Sequence, residues 1–232
     1  WGRGIDIVAV NDLGSLENLA YLLKYDTVYG KAPFDVVAKD GSLWIDGQEV
    51  KFISEKDATH LPWKDLAIDV VVESTGVYDD YEKAKAHLDA GAKRVVITAP
   101  VKQDSELGAT VLMGLNEARL STCKITSNAS CTTNAASPVI AILDEAIGIE
   151  KAILSTTHAY TATQSIVDGP VRGTDFRKGR AAAQNIVPET TGAAIAVAKA
   201  YPNLAGKFDG ISLRVPVPAG SIADTTFIAK RA

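Results

Sequence analysis

The chain has 232 residues, a formal net charge of −4, 47% hydrophobic residues and 22% charged residues. That length suits one or two domains with a substantial core. The charge carries no basic footprint for nucleic acid or for an anionic membrane, so neither is expected as a partner. The two cysteines, Cys123 and Cys131, fit neither a metal-binding pair nor a disulfide framework, which points to a reducing, cytoplasmic setting and no metal site. Apolar runs fall far short of the roughly 20 residues of a membrane span. No signal peptide is visible, and the opening Trp1 in place of Met reads as part of a longer protein.

In chain order, residues 5–10 ("IDIVAV") read as a buried strand and 16–24 ("LENLAYLLK") as a short amphipathic helix. Over 34–54, "KDGS" and "IDGQ" are turn signals between alternating strands and predict an antiparallel hairpin unit. Strands are then expected at 68–73, 94–99, 110–113 and 123–126, with a helix over 80–90 closed by Gly91. Short apolar strands between helices predict a doubly wound, mostly parallel sheet. A helix starts at Cys131 and runs to Gly148, with Pro138 expected to kink it. Beyond it come a long strand at 151–161, a long polar loop at 162–180, a helix at 191–200, and strands at 208–216 and 221–231. The expectation is an α/β protein in two parts. A doubly wound parallel-sheet dinucleotide-binding domain covers residues 1–130, followed by an α+β catalytic domain with a mostly antiparallel sheet over 131–232.

Cys131 lies in "ITSNASCTTNAASPV", at the junction of a strand and a helix. In a first helical turn, free N–H groups and the macrodipole favour a thiolate and can hold an oxyanion. Ser130 and Thr132 can donate to an anionic ligand. The bland alternative, a small buried hydrophobe, sits poorly with so many polar neighbours. His158 in "TTHAYT" is the best candidate base for that thiol, although a satisfied core histidine is the commoner fate. Arg214 interrupts an apolar strand and needs an anion, either a structural carboxylate or a phosphate. Thr191 and Gly192 open a helix, where anions bind readily. Asp12, after the first strand, suits the ribose hydroxyls of a dinucleotide or simply a turn. Ser74, Thr75 and Gly76, and likewise Thr98, fall at strand carboxyl ends, where doubly wound sheets bind ligands. A glycine fingerprint is absent, and "WGRG" is no substitute because it precedes its strand.

Taken together, "SNASCTTN", "HAYTATQ", "RAAAQNIVP", "TGAA", "GKFDG" and "RVPVP", after "VNDL", "LLKYDTVYG", "VVVESTG" and "VVITAP", resemble the phosphorylating glyceraldehyde-3-phosphate dehydrogenases over essentially the whole chain. The resemblance implies an NAD-dependent enzyme of glycolysis or gluconeogenesis. It would convert glyceraldehyde 3-phosphate and inorganic phosphate to an acyl phosphate through a thioester on Cys131, with His158 as base. It implies an attacking-phosphate site at Ser130, Thr132, Thr191 and Gly192, and a substrate-phosphate site at Thr161, Thr163 and Arg214, with Arg177 beside them. Asp12, Lys56 and Thr98 become cofactor contacts, and the anionic Asp12 favours NAD over NADP. Family members are homotetramers with the 162–180 loop at an interface.

Rivals are an erythrose-4-phosphate dehydrogenase, a biosynthetic semialdehyde or acyl-phosphate reductase, a cysteine hydrolase, and a catalytically idle interaction module. Ala135, Ile195 and Ala198 depart from common family residues. The family's N-terminal phosphate loop and C-terminal helix have no counterpart in the sequence, so this chain alone is expected to bind cofactor weakly and to be poorly stable.

Overall fold

The computed structural model describes residues 4–171 and 173–231. Trp1, Gly2 and Arg3 of the "WGRG" stretch lie outside them. The chain divides into two compact units, one up to Val71 together with Lys85–Arg94, the other Val72–Ala84 and Val95 onward.

In the first unit, β1 (Ala9–Asn11) is shorter than the buried strand expected over 5–10, with Ile5, Ile7 and Val8 exposed ahead of it. It leads into α1 (Leu16–Lys24), whose bounds match the sequence expectation. Ser15 caps α1 by accepting from the Asn18 N–H. A two-residue ribbon, β2 (Tyr25–Asp26) with β3 (Gly30–Lys31), follows. The expected hairpin unit is present as β4 (Val36–Lys39), β5 (Ser42–Ile45) and β6 (Gln48–Ile53), paired antiparallel. Both of its turns are Asp-Gly pairs with positive φ, 52° and 74° at Asp40–Gly41 and 48° and 77° at Asp46–Gly47. This is the turn whose twist matches the flanking strands. Strand β6 also pairs parallel with β1. Ala20, Val36, Leu43, Ile45 and Val50 form the core beneath α1.

The next sheet has the order β7-β8-β10-β9, built from β7 (Val70–Glu73), β8 (Arg94–Ile97), β9 (Gly108–Thr110) and β10 (Ile125–Ser127). Strand β10 is parallel to both β8 and β9, as the alternating pattern predicts. Helix α2 (Tyr81–Asp89) lies between β7 and β8 in sequence. Strand β9 corrects the expectation of a strand at 110–113. The pairing ends at Thr110, and Leu112 instead turns the chain, its N–H donating to the Asn116 side chain.

Helix α3 (Cys131–Ile147) then opens the second half, followed by β11 (Ile149–Ala159), β12 (Val187–Thr190), α4 (Ala193–Ala200), β13 (Phe208–Val215) and β14 (Ser221–Ala229). Their sheet has the order β12-β13-β11-β14. Two of its pairings are antiparallel, but the central β11–β13 pair is parallel. Strand β12 has no counterpart in the sequence expectation, since Pro188 takes one of its four positions and Val187 is its only other apolar residue, which leaves no alternation to read. Successive side chains alternate between the sheet's faces. One face runs from Ala152, Leu154 and Phe208 to Thr156, Ser212, His158 and Arg214. Its apolar end packs under α3 and α4 with Ile140, Ala193, Ala194, Val197 and Leu204. The polar end of that face is where the site lies.

Candidate active site

The turn into α3 is built from the polar residues around Cys131. Ser127 donates its hydroxyl to the Ala99 carbonyl at 2.6 Å and accepts from the Ala129 N–H at 3.0 Å. Ala129 has φ 55° and is buried, a left-handed conformation that costs a Cβ-bearing residue about 1 kcal/mol or more. Asn134, one turn into the helix, donates to the Asn128 and Ser130 carbonyls at 2.7 and 2.9 Å and closes the elbow. Ser130 is the N-cap, accepting from the Thr133 N–H at 3.1 Å. Cys131 is therefore the first helical residue and is exposed. Its N–H and that of Thr132 precede the helix's own ladder of bonds. Pro138 lies inside α3 without ending it; the helix continues to Ile147.

Opposite Cys131, β11 presents His158. Its Nε2 lies 3.3 Å from the Cys131 Sγ. The other ring nitrogen, Nδ1, lies 2.7 Å from the Ala159 carbonyl oxygen and 2.7 Å from Arg214 Nη1. A carbonyl only accepts and a guanidinium only donates, so Nδ1 serves one of them at a time. When Nδ1 carries a proton toward Ala159, the Nε2 lone pair faces the thiol and can take its proton. When Nδ1 accepts from Arg214, the proton sits on Nε2 and faces sulfur. Both states suit a group that moves a proton to and from a nucleophile.

Arg214 faces His158 across the parallel β11–β13 pair. Its Nε donates to Glu189 Oε2 at 2.8 Å, and Nη1 also donates to the Ala159 carbonyl at 3.1 Å. Lys178 Nζ lies 2.8 Å from Glu189 Oε1. Burial pushes the Glu189 carboxyl up, but the hydrogen bonds and charges of Lys178 and Arg214 outweigh it and leave the group below its ordinary value. Neither Glu189 nor Lys178 was singled out in the sequence, because nothing local in "IVPETTG" or "FRKG" says what lies across the sheet. Arg177, which was, makes a two-point ion pair with Asp175 at 2.7 and 2.9 Å.

Thr161 and Thr163 follow β11 as an exposed pair with hydroxyls 3.0 Å apart. Gln164, unremarked in the sequence, accepts from the Thr161 N–H at 2.8 Å and fixes this turn. Thr191 precedes α4 and accepts from the Ala193 N–H at 3.2 Å; Gly192 is that helix's N-cap and exposed. Thr132 is buried within the first turn of α3. The second unit thus contains Cys131, His158, Arg214 and every hydroxyl named for phosphate.

Of the residues named for the cofactor, Ser74, Thr75, Gly76 and Thr98 also belong to the second unit. They sit at the carboxyl ends of β7 and β8, where Thr98 donates its N–H and hydroxyl to the Glu73 carbonyl at 3.0 and 3.1 Å. Thr75 spends its hydroxyl on the Glu73 carboxylate. Asp12 and Lys56 belong to the first unit. Asp12 accepts from the Gly14 N–H at 2.7 Å and is exposed at the end of β1. The turn role and an outward carboxylate coexist there. Asn11 exchanges two hydrogen bonds with the backbone of Glu55, 3.0 and 2.9 Å, and so fixes the segment that carries Lys56.

The sequence matches the family model described as glyceraldehyde 3-phosphate dehydrogenase, C-terminal domain, over residues 130–232. It matches that for glyceraldehyde 3-phosphate dehydrogenase, NAD binding domain, over residues 2–81. The chain belongs to the glyceraldehyde-3-phosphate dehydrogenase family. It is 45% identical over 225 residues to the glyceraldehyde-3-phosphate dehydrogenase of Streptomyces coelicolor, covering 96% of this chain and 66% of that protein. It is 47% identical over 235 residues to that of Borreliella burgdorferi, covering 99% and 69%. The chain therefore spans about two thirds of the length of these relatives. The family's NAD-binding domain accounts for the first part, and the donor set fits that cofactor. An exposed carboxylate closing a parallel strand suits a ribose diol. The exposed residues at the ends of β7 and β8 lie where parallel sheets take up nucleotides.

Proposed function

We propose that this protein is an NAD-dependent oxidoreductase of glycolysis or gluconeogenesis that acts on glyceraldehyde 3-phosphate and inorganic phosphate, releasing 1,3-bisphosphoglycerate. The observation that carries this reading is the 3.3 Å approach of an exposed helix-start thiol to His158 Nε2, with Arg214 behind the imidazole. His158 takes the thiol proton, and the Cys131 sulfur adds to the aldehyde carbon. The N–H groups at the start of α3 and the protonated Nε2 stabilise the oxygen that gains charge. NAD, when bound, supplies the oxidising equivalent that leaves the acyl group on sulfur as a thioester. Thr161, Thr163 and Arg214 hold the substrate's phosphate; Arg177 joins them only by leaving Asp175. Ser130, Thr132, Thr191 and Gly192 orient the inorganic phosphate that attacks the thioester carbon, forming the acyl phosphate and releasing the Cys131 thiolate.

Asp12, Lys56, Ser74, Thr75, Gly76 and Thr98 hold the cofactor, the Asp12 charge disfavouring a 2′-phosphate. The NAD-binding part is assigned to residues 1–130 and the catalytic part to 131–232. A homotetramer is supported by the outer face of the β12-β13-β11-β14 sheet, which exposes Ile153, Ile211, Ile222 and Ile228. Two free cysteines support a cytoplasmic location, and no helix among the described residues is long and apolar enough to cross a membrane.

The test is intact-mass analysis after mixing protein, NAD and glyceraldehyde 3-phosphate without inorganic phosphate. The expected product is an acyl adduct on Cys131, absent in Cys131→Ser, slowed roughly 100-fold or more in His158→Ala, and discharged by added phosphate. A full-rate adduct in Cys131→Ser would remove the reading.

A further inference from the structure

The guanidinium assigned to the substrate's phosphate already has an anion. Glu189 reaches from β12 with one oxygen 2.8 Å from Arg214 Nε and the other 2.8 Å from Lys178 Nζ. The pair is well covered, with Glu189 10% and Arg214 20% exposed at their side chains. The register explains the meeting. Val187 pairs with Arg214 and Glu189 with Ser212 across β12–β13, and His158 pairs with Arg214 across β11. All three functional side chains therefore share one sheet face.

We infer that Glu189 is a built-in competitor of the substrate's phosphate for Arg214 and so sets how tightly this subsite holds phosphorylated ligands, an inference that rests on the reading of Arg214 given above. A carboxylate and a phosphate oxygen both accept hydrogen bonds and both carry negative charge. They draw on the same donors and repel one another. Glu189 takes Nε, while Nη1 is directed at Ala159 and His158. Among the described residues only Nη2 of this guanidinium makes no hydrogen bond. An incoming phosphate must settle for that one nitrogen or draw Arg214 away from Glu189. Lys178 makes the second course practicable, because it keeps the released carboxylate paired. The site then has two arrangements of one arginine. In the resting one, Glu189 holds Arg214 and its Nη1 faces His158 Nδ1; in the other, phosphate holds Arg214 and that imidazole nitrogen is released toward the Ala159 carbonyl.

The test is calorimetric titration of glycerol 3-phosphate, which has no aldehyde for Cys131 to attack, into the full chain. Glu189→Gln keeps the size and an acceptor but removes the charge, and is expected to bind roughly tenfold tighter. Glu189→Asp keeps the charge and is expected to bind no tighter than the parent. Arg214→Gln is expected to lose binding. Circular dichroism without ligand establishes that each variant is folded. If Arg214→Gln loses binding while Glu189→Gln binds equally or more weakly, the competitor role is overturned and the reading of Arg214 stands. Equal tightening in Glu189→Asp and Glu189→Gln also overturns it, since charge is then not the cause. If Arg214→Gln binds like the parent, the subsite reading itself fails and the inference with it.

Discussion

At the scale of single residues, the polar side chains around Cys131 are largely spent on the turn itself. Ser127, Asn134, Ser130 and Thr133 are engaged in building the elbow, through the bonds to Ala99, Asn128 and the helix start. Their spacing fixes where the thiol points more than it supplies free donors. Glu189 titrates under the influence of its two cationic neighbours, Lys178 and Arg214. Its folded value is lowered from an ordinary 4.5. A lowered carboxyl contributes stability above its unfolded value and loses it as pH falls through the folded one. The melting-temperature difference between the parent and Glu189→Gln should therefore be steady above pH 4.5 and shrink as the pH drops further. A difference that grew on acidification would mean that the charged form is not the stabilised one. Arg177 and Lys178 show how little adjacency decides. One is paired with Asp175 and its neighbour with Glu189.

At the scale of elements, the hairpins and α1 were legible because their signals are local. Asp-Gly pairs specify their turn, and the apolar spacing of 16–24 shows the helix. Strand β9 was displaced and β12 missed because three- and four-residue strands bury too few side chains to show a period. Their place is decided by partners far along the chain. Strand β9 offers a direct check. A Cβ added at Gly108 would stand 2.5 Å from the Tyr81 ring and 2.6 Å from the Ile125 carbonyl oxygen, and Tyr81 is 2% exposed. Gly108→Ala should cost on the order of 3 kcal/mol in a denaturant titration, because neither neighbour can retreat. An unchanged midpoint would show that β9 packs less closely against α2 than the structure has it.

At the scale of the whole molecule, the β12-β13-β11-β14 sheet has two unlike faces. Leu154 and Phe208 face the helices, while Ile153, Ile211, Ile222 and Ile228 are exposed on the other side. Isolated exposed apolar residues are common, but four on one sheet face give the proposed homotetramer a surface to use. Ile211→Glu with Ile222→Glu should reduce the association state seen by light scattering, and the fold, read by circular dichroism, should survive because neither residue is in the core. Unaltered association would exclude this face as the interface.

The sequence by itself determined the family, the main helices and most of the strands, the position of Cys131 at a helix start, and the candidacy of His158 and Arg214. Each of these is written in a local run of residues, and the family motifs join the runs. Only the tertiary structure decided that His158 Nε2 meets the sulfur, that Arg214 leans on the imidazole, and that Glu189 with Lys178 occupies Arg214. Those contacts join residues 11 to 56 positions apart. They depend on sheet register, which puts β12, β13 and β11 side by side with one face in common. Register is a property of pairing between distant strands, and no run of neighbouring residues encodes it.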